Sequence, residues 1–312
     1  LMDGQPVWAY LKALKKEMAT TVERFPPERI DTIYVGGGTP TALNEEQTVY
    51  FLESVRECLM PYVREAEFTM EANPGHLEPG KLAVMKDAGV NRLSLGVQAL
   101  DDRLLAAIGR THTSDDVLRT IRLAKDAGFT NISIDLMYRL PEQTLEALKR
   151  TLEKVFLLQV QHISIYALQV EPRTIFYNRM RKGTLPLPSE DEEADMYEYL
   201  TDFLGENGYE PYEISNFARP GYESRHNQIY WDNDDYYGFG AGAHSYVDGV
   251  RRVNAGWTKK YIRLISETGE AYSEAHVVSE QERMEEEMFL GLRKKAGVSK
   301  ARFESRFGKR ME

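Results

Sequence analysis

The chain has 312 residues, 42% of them hydrophobic and 28% charged, which excludes disordered, collagen-like and coiled-coil proteins and leaves room for a full core. Its 49 acidic residues outnumber 39 lysines and arginines, and a net charge of −10 argues against nucleic acid as a partner. The single cysteine, Cys58, excludes an internal disulfide and any multi-cysteine metal site within these residues, and it fits a reducing cytoplasm.

An amphipathic helix comes first, with Tyr10, Leu11, Leu14 and Met18 at helical spacing. Short β-rich runs then recur at 32–35, 67–71, 92–97, 131–137 and 162–168, each followed by a helix-period stretch. Val117, Ile121 and Ala124 mark one helix face; Leu145, Leu148, Leu152 and Val155 mark another. This beat is that of βα units, so a parallel sheet is expected. Five such units without a doubly wound fingerprint favour a full or partial (β/α) barrel, and the lack of a close repeat excludes a solenoid. Pro186 and Pro188 break the beat; Ser189 and Glu192 form a capping box that opens a helix, and Gly208 ends it. From Tyr209 the composition turns to tyrosine, glycine and asparagine. A last helix is expected to carry Met284, Met288, Phe289 and Leu292 on one face, beneath a solvated acidic run at 285–287. Boundaries near 210 and 275 then divide the chain into a barrel core (1–210), a barrel-associated segment (211–274) and the start of a small C-terminal helical domain (275–312). Both ends read as unfinished, and residues are expected to be missing at each. No apolar run approaches the roughly 20 residues that span a bilayer, and no signal peptide opens the chain.

In a barrel of this kind, function gathers at the C-terminal ends of the strands. The five expected strands end in the run Gly36-Gly37-Gly38-Thr39, in Glu71, in Gln98, in Asp135 and in Tyr166. All are polar or expose backbone, and all belong on one rim. The glycine run is either a ligand cradle or a tight strand-to-helix turn with Pro40 in its first helical turn. It is no Walker A loop, because no Gly-Lys-Ser/Thr follows. Glu71 alone reads equally as a solvated carboxylate. Gln98 and Asp135 end strands that should be internal, where an unpaired polar group is costly. A second constellation spans His226, Asn227, Tyr230 and Trp231, followed by the glycine-alternating stretch 238–246 with His244. Imidazole ligates iron and aromatic rings stack on a flat ligand; the same residues equally make a core aromatic cluster around a hydrogen-bonded histidine. The other histidines, His76, His112, His162 and His276, read as structural or solvated.

GGGTPT at 36–41, EANPG at 71–75, GVNRLSLGVQ at 89–98, GRTH at 109–112, IDLM at 134–137, the stretch 212–231 and GAGAHSY at 240–246 together resemble the radical S-adenosylmethionine proteins of the HemN/HemW group. The match runs in order along nearly the whole chain, and HNxxYW at 226–231 is most similar to the haem-chaperone, HemW branch. The resemblance implies an α/β fold, a partial (β/α)6 radical-SAM barrel with a small C-terminal domain. It implies that Gly37, Gly38 and Thr39 meet the methionine end of S-adenosylmethionine, with Glu71, Gln98, Arg110 and Asp135 completing the pocket. It also implies a 4Fe–4S cluster, and haem binding by His226, Asn227, Tyr230 and Trp231. Implied partners are haem or a porphyrinogen, respiratory haem-protein acceptors, a membrane surface and a second copy of the chain.

Three departures stand against the pattern. The family's CxxxCxxC cluster loop has no counterpart here, Cys58 lies in the wrong place, and a cluster needs thiolates; its cysteines are expected in a missing N-terminal segment. Arg139, Glu142 and Arg173 stand where glycines are expected, and the C-terminal domain looks cut short. The leading expectation is a haem chaperone that delivers haem to respiratory enzymes. The alternative is an oxygen-independent coproporphyrinogen III oxidase, and a barrel enzyme with an unrelated nucleotide substrate is a third reading.

Overall fold

In the computed structural model, which describes residues 4–311, helices and strands alternate along most of the chain. The first half runs α1 (Gly4–Arg24), β1 (Ile30–Val35), α2 (Glu45–Leu59), β2 (Val63–Ala72), α3 (Pro79–Asp87), β3 (Arg92–Gln98), α4 (Asp102–Ala107), α5 (Ser114–Asp126) and β4 (Ile132–Tyr138). It continues through α6 (Leu145–Leu157), β5 (His162–Ala167), α7 (Ile175–Arg181), α8 (Glu190–Glu206), β6 (Glu210–Pro211), β7 (Asn216–Ala218) and α9 (Arg225–Trp231). The chain closes with β8 (His244–Val247), β9 (Val250–Asn254), α10 (Thr258–Thr268), β10 (Tyr272–Val277), α11 (Glu280–Gly291) and α12 (Lys300–Phe307). No described helix is long and apolar enough to cross a membrane.

All five expected strands form, and they pair in parallel in chain order as a curled half-barrel. The sixth place is taken by the short β7, which runs antiparallel to β5 and carries β6 on its far side. On the outward face Phe68, Met70, Leu93, Leu95, Ile132, Ile134 and Ile163 are each 2% exposed or less, buried beneath the helices. The alternate residues face inward and are polar, because strand side chains alternate between faces. Register sets Thr69 beside Arg92, Glu71 beside Ser94, Ser94 beside Ser133 and Asp135 beside Ser164. The half-barrel is therefore filled with hydroxyls and charges rather than branched aliphatics.

Local signals explain the helices. Leu11, Leu14 and Met18 of α1 are buried, and α8 opens on the Ser189–Glu192 capping box. Arg139, Glu142 and Arg173 have φ of 60°, 63° and 68°, the left-handed region that favours glycine. The backbone thus holds the conformation for which glycine was expected, with charged residues in it. The last helices differ from expectation. Glu287 is 4% exposed and pairs with Arg302 and Arg306 of α12, whereas Phe289 and Leu292 are 58% and 67% exposed. The ion pairs turn the acidic face of α11 towards α12 and leave these two apolar residues outside. A second buried carboxylate, Glu17 of α1, accepts hydrogen bonds from Gly240 N (2.8 Å), Asn254 Nδ2 (2.6 Å) and the Tyr261 hydroxyl (2.5 Å). It ties α1 to the glycine-alternating loop, β9 and α10.

Candidate functional site

The chain leaves β1 into the glycine run, and Glu71 fixes it. The Glu71 carboxylate accepts from the Tyr34 hydroxyl at 2.7 Å and from Gly37 N at 3.2 Å. A Cβ on Gly36 would lie 2.6 Å from the Glu71 carboxyl carbon, so close approach requires glycine there. Gly37 has φ +83°, and neither it nor Gly38 has other atoms within 4 Å of a built Cβ. Thr39 Oγ1 accepts from Asn73 Nδ2 at 3.2 Å, and a 3₁₀ turn follows over Pro40–Ala42. The run is therefore a tight turn whose outer backbone stays open to a ligand.

Behind it lies a cavity of about 350 Å³ inside the half-barrel, lined by Tyr34, Glu71, Arg92, Gln98, Asp135 and Tyr166 among others. Gln98 ends β3 with φ 67°. Asp135 lies mid-strand rather than at an end, because β4 continues to Tyr138. Burial, then the neighbouring Glu71 charge, raise the Asp135 carboxyl to about 6, while Ser164, Arg92 and Ser94 pull it back. Arg92 is 2% exposed, forms no ion pair among the described residues, and its Nε has no hydrogen-bond partner. Burial, then Glu71, push the Tyr34 phenol up, so it stays a donor. Arg110 lines neither this cavity nor the groove described next; it sits in the turn after α4, near His112, whose Nε2 meets Val97 O at 3.0 Å.

Tyr34 also lines a groove of about 1780 Å³ along β1, which stands at one end of the strand order among the described residues. Gly37, Gly38, Thr39, His226, Tyr230 and His244 share its wall. Here α9 docks on the barrel through Glu67, whose carboxylate accepts from Ser224 Oγ (3.3 Å), Arg225 N (3.0 Å) and His226 N (3.1 Å). The His226 ring stacks on Tyr34 at 5.0 Å, with Nδ1 2.7 Å from Thr32 Oγ1 and Nε2 2.9 Å from the Tyr230 hydroxyl. Burial, then Arg92, lower its pKa to about 4, so it is neutral with both nitrogens engaged. Asn227 points the other way, into the barrel cavity. Trp231 lines neither space; its ring lies 4.5 Å from the Arg293 guanidinium.

Of the sequence-derived residues, Glu71, Gln98, Asp135 and Asn227 thus meet in one cavity, while Gly37, Gly38, Thr39, His226 and Tyr230 line the adjoining groove. Arg110 and Trp231 stand apart. Reading strand ends alone missed Tyr34, Glu67, Arg92, Ser94 and Ser164. Their signal was the period-two alternation inside the strands, as in Glu67-Phe68-Thr69-Met70-Glu71.

Fold and site define a radical S-adenosylmethionine-type half-barrel. The profile of the radical SAM superfamily matches residues 9–155, and that of the HemN C-terminal domain matches 278–312. The chain is 48% identical over 311 residues to "Heme chaperone HemW" of Bacillus subtilis, covering 100% of this chain and 82% of that protein. It is 48% identical to the protein of the same name from Lactococcus lactis, covering 98% and 79%. The solved structure of coproporphyrinogen III oxidase (HemN) from Escherichia coli superposes with a TM-score of 0.84 at 24% identity, over 98% of this chain and 74% of that one. The chain belongs to the HemW family of radical SAM proteins.

Membership implies S-adenosylmethionine and a 4Fe–4S cluster as cofactors. The first fits these residues. A sulfonium and an ammonium are cations, Glu71 and Asp135 offer carboxylates, and the open Gly37–Gly38 backbone offers close approach. The second does not fit. Cys58 is the sole thiol, half-buried on α2 with Sγ 3.8 Å from Lys15 O, and no metal-holding cluster of His, Cys, Asp or Glu occurs among the described residues.

Proposed function

We propose that this protein binds haem, in keeping with the name "Heme chaperone" shared by its relatives, and passes it to haem-requiring acceptors. The observation that carries the reading is 48% identity along the whole chain to proteins so named. The aromatic cluster of Tyr34, His226, Tyr230 and Tyr236 supports it, because aromatic rings pack against flat apolar ligands. In this reading Tyr230 and the α9 face around His226 border the haem, while Asn227 and Trp231 hold α9 between barrel and α11.

S-adenosylmethionine belongs at the rim, with its charge facing Glu71 and Asp135, its polar edge on Gln98 and its methionine end on Gly37, Gly38 and Thr39. Arg110, in the turn after α4, lines neither space and is left out of that site. S-adenosylmethionine held there would supply a 5′-deoxyadenosyl group to radical chemistry only on one-electron reduction by a 4Fe–4S cluster, for which these residues provide no ligands. Glu71 holds the glycine turn, and Tyr34 keeps Glu71 oriented. Respiratory haem proteins as acceptors, a cytoplasmic site with membrane contact, and a homodimer complete the proposal.

Glu71 and Asp135, placed to hold S-adenosylmethionine for radical chemistry, also suit a second reading, oxidative decarboxylation of coproporphyrinogen III. One experiment separates the two. Haem-loaded protein is mixed with an apo haem protein, and the acceptor's Soret band is followed; in parallel, anaerobic coproporphyrinogen III consumption is measured. Transfer without consumption is expected. Consumption without transfer would replace the chaperone reading with the oxidase.

A further inference from the structure

We infer that Arg92 is a positioning residue for the cofactor site, a buried stand-off cation that holds Asp135 ready for a positively charged ligand without occupying its oxygens. The inference rests on the placement of S-adenosylmethionine at Glu71 and Asp135 and adds the residue that sets their charge.

Elsewhere in this chain, arginines that meet a buried carboxylate clasp it directly, as Arg302 and Arg306 clasp Glu287. Arg92 does not. It is 2% exposed and lines the barrel cavity together with Glu71 and Asp135, yet it forms no ion pair among the described residues. Its Nη1 lies 3.5 Å from the Thr69 hydroxyl, and its Nε has no partner. Glu71 accepts from two neutral donors, the Tyr34 hydroxyl and Gly37 N, and Asp135 meets Ser94 Oγ at 3.5 Å. A guanidinium bound face to face takes two carboxylate oxygens at once. Held at a distance, it lends its charge and leaves those lone pairs to a ligand. Arg92 and Asp135 lie on β3 and β4, internal strands with a paired neighbour on either side, so their placement is independent of the sheet edges.

No other side chain lining the cavity supplies that charge. Asp135 shares it with Glu71 from β2, Arg92 from β3, Tyr34 from β1 and Tyr166 from β5. Burial pushes both phenols up, so they stay neutral. His162 and His226 are driven neutral by burial first and by Arg92 second. Arg92 is therefore the one cationic side chain lining the cavity among the described residues, and a guanidinium keeps its charge when buried. With Arg92 pulling it down, the Asp135 carboxyl stands at about 6 and is ionised at neutral pH. Two carboxylates sharing such a site without a cation would keep a proton between them.

The test has two readings, made on the whole protein as wild type, Arg92→Met and Arg92→Lys. Carboxyl infrared absorption, assigned by its loss in Asp135→Asn, follows the Asp135 proton without ligand. Its midpoint should rise by about one pH unit or more in Arg92→Met and stay near wild type in Arg92→Lys. Calorimetric titration with S-adenosylmethionine from about pH 5.5 to about 8 reads the consequence. Affinity should fall as pH drops through the Asp135 midpoint, and in Arg92→Met that fall should lie about one unit higher. The result is a severalfold loss at neutral pH that is recovered towards the top of the range. The ligand's own titration is common to all three proteins and cancels in the comparison. If Arg92→Met does not fold, Arg92→Gln takes its place. A midpoint unmoved in a folded, uncharged variant overturns the inference. A moved midpoint with affinity lowered equally at every pH overturns it too, because the charge would then not reach the ligand. No saturable binding by folded wild type overturns the cofactor placement itself, and the positioning role with it.

Discussion

Glu67 is the hinge pin of the arrangement, and removing it gives a calculable result. Its carboxylate is 7% exposed and accepts three hydrogen bonds, two of them from the main-chain N–H groups of Arg225 and His226. In Glu67→Ala those two N–H groups lose their acceptor at a partly buried site. Each orphaned group costs about 1–3 kcal/mol, and loss of a carboxylate at a helix N-terminus adds about 0.5 kcal/mol. Ser224 loses the acceptor of its hydroxyl proton as well, although a hydroxyl, unlike a main-chain N–H, can rotate toward another partner. The expected destabilisation is about 3–5 kcal/mol, a large part of a typical folding free energy. Glu67→Gln keeps one acceptor oxygen and should lose about half as much. Urea unfolding followed by far-UV circular dichroism measures both, with m unchanged if only stability moves. A Glu67→Ala loss below about 1 kcal/mol would refute the view that β2 anchors α9.

Three further outcomes follow from the same geometry. Gly36→Ala forces the Glu71 carboxylate off Tyr34 and Gly37; because that side chain can swing away, melting temperature should change little, whereas S-adenosylmethionine affinity measured by calorimetry should fall severalfold. The raised Asp135 carboxyl means that between its ordinary 3.8 and about 6 the folded protein binds more protons than the unfolded chain, so ligand-free stability falls as pH rises through that window. The drop is about 3 kcal/mol at most, complete above pH 6, and Asp135→Asn should flatten it in pH-dependent urea titrations. Arg173→Gly relieves a left-handed residue on an exposed loop and should stabilise by up to about 1 kcal/mol in thermal unfolding, while Arg173→Val should destabilise.

The barrel could be read from the sequence because its strands are β-branched and its helices amphipathic, both local properties. The glycine run and Glu71 could be read because strand ends carry function in this architecture. Asp135 was found for a reason that does not hold: it lies mid-strand, and it matters because inward residues of a half-barrel meet at its centre. Tyr34 and Arg92 required knowing which face of each strand looks inward, information carried by the alternation but settled by sheet curvature. The burial of Glu287 depends on Arg302 and Arg306, 15 and 19 residues further on in another helix. That both ring nitrogens of His226 are engaged depends partly on Thr32, 194 residues away, and no local pattern carries that.

The proposal that this protein binds haem beside the His226–Tyr230 face of α9 is tested most directly by locating the iron. Crystals of the haem-loaded protein, measured at the iron absorption edge, would locate the metal directly. One anomalous peak is expected beside the His226–Tyr230 face of α9. A peak inside the barrel cavity near Asp135, or on the outer face of the helices, would contradict it.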